Sequence, residues 1–152
     1  MYRDPMLQNF QNLAPVSALI LDYGAAASAN ATRNGKAANG TSDLVVDLWN
    51  GAANGTNMSN GLYAVVVNIA TLDYTSDETY QVIVQNDASA TTVLTAPNLA
   101  VSRKILAATG VGRYLMFIRP EHRYLSLQFV LANTTPEITT GLCYAAPIPF
   151  AG

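Results

Sequence analysis

The fold class of this chain is indicated most clearly by one stretch in its last third, Arg123-Tyr124-Leu125-Ser126-Leu127-Gln128-Phe129-Val130-Leu131. Its residues alternate in polarity along the run. Leu125, Leu127, Phe129 and Leu131 fall on one face of a strand, and Tyr124, Ser126 and Gln128 fall on the other. A period of two is typical of a β-strand with one face on a core. We therefore expect a strand with its leucines and Phe129 buried, and we expect Ser126 to tolerate a charged side chain.

Similar strand patterns recur along most of the chain. Runs rich in β-branched and aromatic residues occupy 43–49, 62–69, 79–85 and 113–118, and weaker candidates occupy 17–23, 91–95, 100–106 and 138–144. Helix signals are poor, and the segments between the runs are loaded with Gly, Asn, Thr and Pro, which mark turns. Many short strands joined by such turns predict an all-β antiparallel sandwich or barrel of about eight strands.

The segments between the predicted strands carry expectations of their own. Arg119-Pro120-Glu121-His122 has proline at the second position of a turn, so we expect 113–131 to form a hairpin. Two stretches of small and polar residues, 24–41 and 50–61, predict long loops that are either functional or simply solvated. Residues 1–15 show little strand or helix pattern and are interpreted as an N-terminal arm, which leaves 16–152 as the folded domain.

Length and composition exclude several classes of protein. The 152 residues suit one domain. Only 12% of them are charged, the net charge is −2 and the pI is near 5.1, which argues against a nucleic-acid partner. The longest apolar runs are far shorter than the ~20 residues that span a bilayer, and the N-terminus lacks the apolar run of a signal peptide. We therefore expect a soluble protein made in the cytoplasm, with no membrane partner.

Groups suited to catalysis or metal binding are scarce. The chain has one histidine, His122, in the predicted turn, and one cysteine, Cys143, in an apolar run that favours a buried, structural thiol. One histidine and one cysteine cannot form a zinc site. The acidic run 73–78 could attract calcium but lacks the spaced ligands and glycine of a calcium loop, so a solvated acidic turn is favoured. We therefore predict no enzymatic activity, no cofactor and no metal.

Two groups of residues are candidates for contact with a partner. Six of the eight basic residues are arginine, and four of these lie between positions 103 and 123. The planar guanidinium suits interfaces, although an ordinary solubilising role carries about equal weight. The apolar residues of the arm are the second group. The candidate contact residues are Met6, Leu7, Phe10, Arg33, Arg119 and Arg123.

Three stretches carry a resemblance to a known family. They are Met1-Tyr2-Arg3-Asp4-Pro5 with Gln8-Asn9-Phe10, then Leu21-Asp22-Tyr23-Gly24, and finally Arg119-Pro120 with Arg123 to Phe129 and Gly141-Leu142. Together they resemble the small head cement, or decoration, proteins of tailed phages, of the type found on a Bordetella short-tailed phage. The long Asn-, Gly- and Ala-rich loops depart from that family's pattern.

The resemblance implies a structural role on a virion. The fold would be a jelly roll over 16–152. The protein would sit as a homo-oligomer, a dimer or a trimer, on the outer surface of the phage head after synthesis in the bacterial cytoplasm. Its partners would be the major capsid protein, whose joints it stabilises, and itself.

Two alternatives to this function remain. An enzyme on a jelly-roll scaffold, such as a cupin, would want two or three histidines for its metal, and the chain has one. A phage tail or receptor-binding module would bind carbohydrate on an aromatic platform. Trp49 and some of the tyrosines could form such a platform, but packing explains them equally well.

Overall fold

The computed structural model describes residues 19–48, 61–75, 77–105 and 110–148, and these residues form an almost purely β structure. Among these residues, eleven antiparallel strands follow one another along the chain, and a short 3-10 turn lies at Thr92–Leu94. The strands are β1 (Ile20–Asp22), β2 (Ala26–Ser28), β3 (Ala31–Asn34), β4 (Val46–Asp47), β5 (Tyr63–Leu72), β6 (Thr79–Asp87), β7 (Leu99–Ile105), β8 (Gly112–Ile118), β9 (Tyr124–Ala132), β10 (Glu137–Thr140) and β11 (Cys143–Pro147).

The strands make two sheets with the connectivity of a jelly roll. Three strand positions are each shared by two short strands, β1 with β2, β3 with β4, and β10 with β11, so the sandwich has eight positions. The first sheet runs β1/β2, β10/β11, β5, β8, and the second runs β3/β4, β9, β6, β7. The predicted all-β jelly-roll sandwich of about eight strands is therefore confirmed.

The core lies between the two sheets and contains the alternating residues that the sequence singled out. Leu125 and Leu127 are fully buried and Phe129 is 1% exposed, which confirms their predicted orientation. The first sheet contributes Tyr63, Val65 and Val67 from β5 to the same cluster. In each of these strands every second side chain points into the core, as the period-two pattern of the sequence predicts.

The predicted hairpin over 113–131 is wrong. β8 pairs with β5 in the first sheet, whereas β9 pairs with β6 in the second, so the connection between them crosses the sandwich. The side chain of Asn86 on β6 holds this connection: its amide nitrogen donates to the carbonyls of His122 (2.9 Å) and Tyr124 (2.8 Å). Its oxygen accepts from the backbone N–H groups of Glu121 and His122, both at 2.9 Å. A turn signal shows where the chain bends and does not show which strand it pairs with next.

Three other segments differ from the expectation. The predicted loop 24–41 contains β2 and β3, which pair with β10 and β9. The side chains of this segment have little preference for strands, but its backbone N–H and C=O groups find hydrogen-bond partners on the neighbouring strands. Conversely, the predicted strand 91–95 contains the 3-10 turn, whose Val93 is fully buried and which packs against β6 and β9. The strand expected over 43–49 is reduced to β4, with an isolated bridge at Asp43. Residues 1–18, with the predicted arm, and nearly all of the predicted loop 50–61 lie outside the described residues.

The outward face of β9 is less exposed than its alternation suggested. Ser126 is fully buried, and its hydroxyl donates to the side-chain oxygen of Gln85 at 2.9 Å. The turn at Thr92–Leu94 packs on the same two strands. The expectation that Ser126 tolerates a charge is therefore wrong, since a carboxylate there would be buried without a cation.

Candidate interaction surface

The structure places the predicted contact residues in very different surroundings. Arg33 on β3 is only 7% exposed, and its guanidinium donates to both oxygens of Asp22, at 2.8 and 3.2 Å. The same group donates to the Thr140 hydroxyl at 2.8 Å and lies 4.5 Å from the centre of the Phe129 ring. Arg33 is therefore an interior residue, and the expectation that it contacts a partner is corrected. Met6, Leu7 and Phe10 lie outside the described residues.

Arg123 is also engaged within the chain. Its Nε and Nη2 donate to the two carboxylate oxygens of Asp47, each at 2.9 Å, so the guanidinium and the carboxylate form a two-pronged pair. These hydrogen bonds with Asp47 raise the pKa of Arg123 above its ordinary value. The pair links β4 to the start of β9, which gives Arg123 a role inside the fold.

The remaining cations are gathered on one side of the sandwich. The described part of the chain has three ion pairs, Arg33–Asp22, Lys36–Asp43 and Arg123–Asp47. No ion pair in that part involves the other four described cations, which we call the basic edge: Arg103, Lys104, Arg113 and Arg119. Two lie on β7, one on β8 and one directly after β8, and β7 and β8 are the last strands of their two sheets.

Local contacts hold this edge together. The Arg103 guanidinium donates to the Leu115 carbonyl at 2.9 Å and lies 5.2 Å from the centre of the Tyr114 ring, so it spans from β7 to β8. Arg113 donates to the side-chain oxygen of Asn68 at 3.2 Å. These bonds orient two of the four charges, and neither bond involves a carboxylate.

Apolar groups accompany the charges. A shallow cleft between the sheets is lined by Val84, Leu99, Val101, Ile118 and Arg119, among others. Val101 is 37% exposed, and Phe117 on β8 is 51% exposed on the outer face of the first sheet. Exposed apolar side chains near cations that have no ion pair within the described ranges are a composition that suits contact with another macromolecule.

The other candidate chemical groups are engaged in the fold. Cys143 is fully buried, as predicted, and its burial raises the pKa of the thiol to about 12. In the acidic run, Glu78 is 4% exposed and accepts hydrogen bonds from Thr75 and Thr135, so the expectation of a solvated turn is wrong at this residue. The backbone N–H of Thr134 donates to the Asp77 carboxylate, and hydrogen bonding from Thr134 lowers the pKa of that carboxyl group. Within the four described ranges no three His, Cys, Asp or Glu residues come together as metal ligands.

Comparison with known proteins found no match: no family model, no curated protein and no solved structure is significantly similar to this chain. Across the described ranges, no helix has the length and apolar character needed to cross a membrane. What the basic edge does must therefore be inferred from its charge, exposure and shape.

The grouping of these cations could not be read from the sequence. The sequence shows four arginines between positions 103 and 123, but this group includes Arg123, which pairs with Asp47 on β4 and does not belong to the basic edge. Lys104 gave no separate signal. Only the sheet order shows that two strands consecutive in sequence are both edges and that they lie on the same side.

Proposed function

We propose that this chain is a structural decoration protein of a phage head. It binds the outer surface of the capsid through the basic edge and stabilises joints between major capsid subunits. The proposal is supported by the jelly-roll fold that the family resemblance implies. The observation that carries it is the basic edge, four cations on and beside the edge strands β7 and β8 that form no ion pair with any other described residue.

Charge complementarity favours a partner surface rich in carboxylates. Because the four cations have no carboxylate partners in the described part of the chain, docking does not require an internal ion pair to break first. Complementary potentials orient an encounter and speed association, and salt screens such exposed charges. Burial of Val101 and Phe117 would add about 25 cal/mol per Å² of apolar area. Binding should therefore weaken with salt without being abolished by it.

The same charges bear on self-association. Two copies that met through their basic edges would bring like charges together, which is unfavourable. A dimer or trimer would therefore use another surface and leave the basic edges facing the capsid. Several copies bound at once would gain avidity, so each contact could be weak.

The proposal is tested by mixing the purified protein with decoration-free heads of the virus that encodes it, followed by co-sedimentation. Lys104→Glu and Arg119→Glu should each weaken binding about tenfold by turning an attraction into a repulsion. Lys36→Glu is the matched control, because it makes the same change of charge at an ion pair away from the basic edge. Equal binding by Lys104→Glu and Lys36→Glu would remove the basic edge from the contact.

The competing function has a distinct outcome. A receptor-binding module would bind a cell-surface glycan and would not bind bare heads. Wild-type protein that stays off the heads at low salt, yet binds a glycan array, would overturn the proposed function as a whole.

A further inference from the structure

The cleft between the sheets opens toward the core on the side of the basic edge. Its lining includes Val84, Ile118 and Leu125, and all three are buried. Val101 on β7 pairs with Val84 on β6 and lines the same cleft, yet it is 37% exposed. A group of another molecule that entered here would therefore contact core side chains directly.

The size and polarity of the cleft suit one apolar side chain. Its volume is ≈ 220 Å³ with the open mouth included, which is below the roughly 300–1,000 Å³ of sites for small molecules. Asn86 also lines the cleft, but its amide nitrogen and oxygen are both engaged with the connection between β8 and β9. The described lining thus offers apolar contact and the guanidinium of Arg119.

Two cations of the basic edge lie on the cleft side of the sandwich. Arg119 lines the cleft itself. Arg103 is two residues after Val101, so it shares the same face of β7 about 7 Å farther along the strand, whereas Ser102 lies on the opposite face. Neither arginine has an ion pair within the described ranges. Carboxylates would therefore be favoured beside a side chain that occupies the cleft.

We propose that the cleft holds one aliphatic side chain of a capsid segment whose neighbouring residues carry carboxylates. The aliphatic group packs on Val84, Ile118 and Leu125, and the carboxylates pair with Arg119 and Arg103. An apolar anchor in a pocket with charged groups at its rim is the arrangement of an interface hot spot. Assignment of the segment to the capsid rests on the proposed function, whereas the chemistry of the occupant rests on the cleft and its two arginines.

Methyl NMR of the full-length protein tests the occupant without heads. The probe is the peptide acetyl-Glu-Leu-Glu-amide, and the readout is the methyl resonances of Val101, Ile118 and Leu125. We expect them to shift with a Kd on the order of 1 mM. Binding should weaken about tenfold when alanine replaces the leucine, because apolar area is lost, and also when lysines replace the glutamates. Absent shifts, or equal binding of the three peptides, would overturn the proposal.

Variants in the same titration test the role of the guanidinium. Arg119→Gln should weaken binding of the peptide severalfold, and Lys36→Gln is the control because Lys36 pairs with Asp43 away from the basic edge. Equal weakening by both variants, or by neither, would overturn the proposal. Nuclear Overhauser contacts in the free protein from the cleft methyls to residues in 1–18, 49–60, 106–109 or 149–152 would put a segment of this chain in the cleft and would also overturn it.

Co-sedimentation with decoration-free heads tests whether the segment belongs to the capsid. Val101→Trp fills the cleft with a side chain of the protein itself and should weaken binding about tenfold with no change in charge. Ser102→Trp adds the same group on the opposite, exposed face of β7 and is the matched control. Melting temperatures check that both variants are folded.

The outcomes separate this inference from the proposed function. If Val101→Trp binds heads as well as Ser102→Trp does, while Lys104→Glu binds poorly, the cleft is not a contact and the basic edge still is. Wild-type protein that binds the peptide at the cleft but stays off the heads would overturn the proposed function and the capsid as partner, and would support the chemistry of the occupant.

Discussion

The guanidinium of Arg33 and the carboxylate of Asp22 form a buried ion pair that joins the two sheets. Asp22 ends β1 in the first sheet and is fully buried, whereas Arg33 lies on β3 in the second. Asp22 also accepts from the backbone N–H groups of Gly24 (3.1 Å) and Lys36 (2.9 Å) and from the Thr140 hydroxyl (2.6 Å). Both carboxylate oxygens of Asp22 therefore accept several hydrogen bonds, which is the condition for keeping a charge inside a protein.

Removal of the carboxylate should be strongly destabilising. Asp22→Ala leaves the Arg33 charge buried without an opposite charge beside it, and we expect a loss of about 3–5 kcal/mol in the free energy of unfolding. The control is Asp43→Ala at the exposed pair with Lys36, for which we expect a loss below about 1 kcal/mol. Urea unfolding of both variants checks this. Similar midpoints for the two would contradict the importance of burial.

The backbone beside this ion pair passes too close to β1 for any side chain. A Cβ at Gly35 would lie 1.9 Å from the carbonyl oxygen of Leu21, so Gly35→Ala must push the two strands apart. We expect a loss of about 1–3 kcal/mol, as for other overpacked sites. Gly141→Ala is the control, because its Cβ would meet only the side chain of Asn68 at 3.4 Å. Thermal melting should separate the two, and equal melting temperatures would refute the close approach.

The two faces of β9 should both be sensitive to substitution, for different reasons. Leu127→Ala removes core volume and should cost about 2–5 kcal/mol. Ser126→Ala removes only the hydrogen bond to Gln85 and should cost about 1–3 kcal/mol. Ser126→Asp should be far worse than Ser126→Ala, because it buries a charge. Denaturant unfolding of the three variants gives the order, and a stable Ser126→Asp protein would show that this face is open.

The thiol of Cys143 should be inert in the folded protein. Because burial raises its pKa to about 12, the group stays a neutral thiol through the range in which thiol reagents are used. We expect no reaction with a disulfide reagent at pH 8 under native conditions and full reaction in denaturant. Rapid native labelling at the rate of a free thiol would mean that the strand carrying Cys143 opens readily.

The all-β class and the inward face of β9 could be predicted from the sequence alone. Both depend on a local property, the alternation of apolar and polar residues along one strand, and the same alternation turned Leu125, Leu127 and Phe129 toward the core. The buried thiol of Cys143 followed from its apolar neighbours in the chain. In each case the deciding information lies within a few residues of the position.

Tertiary structure alone decided which strands meet and therefore what each charge does. The small and polar neighbours of Arg33 in sequence predict a loop, yet pairing with β9 and the hydrogen bond to Thr140, both about 100 residues away in sequence, place it inside beside Asp22. The hairpin predicted over 113–131 is wrong for the same reason, since Asn86 on a distant strand binds the chain as it crosses between the sheets. The basic edge exists only because sheet order brings β7 and β8 to one side. Pairing between distant strands is a property of the whole chain, and no local pattern contains it.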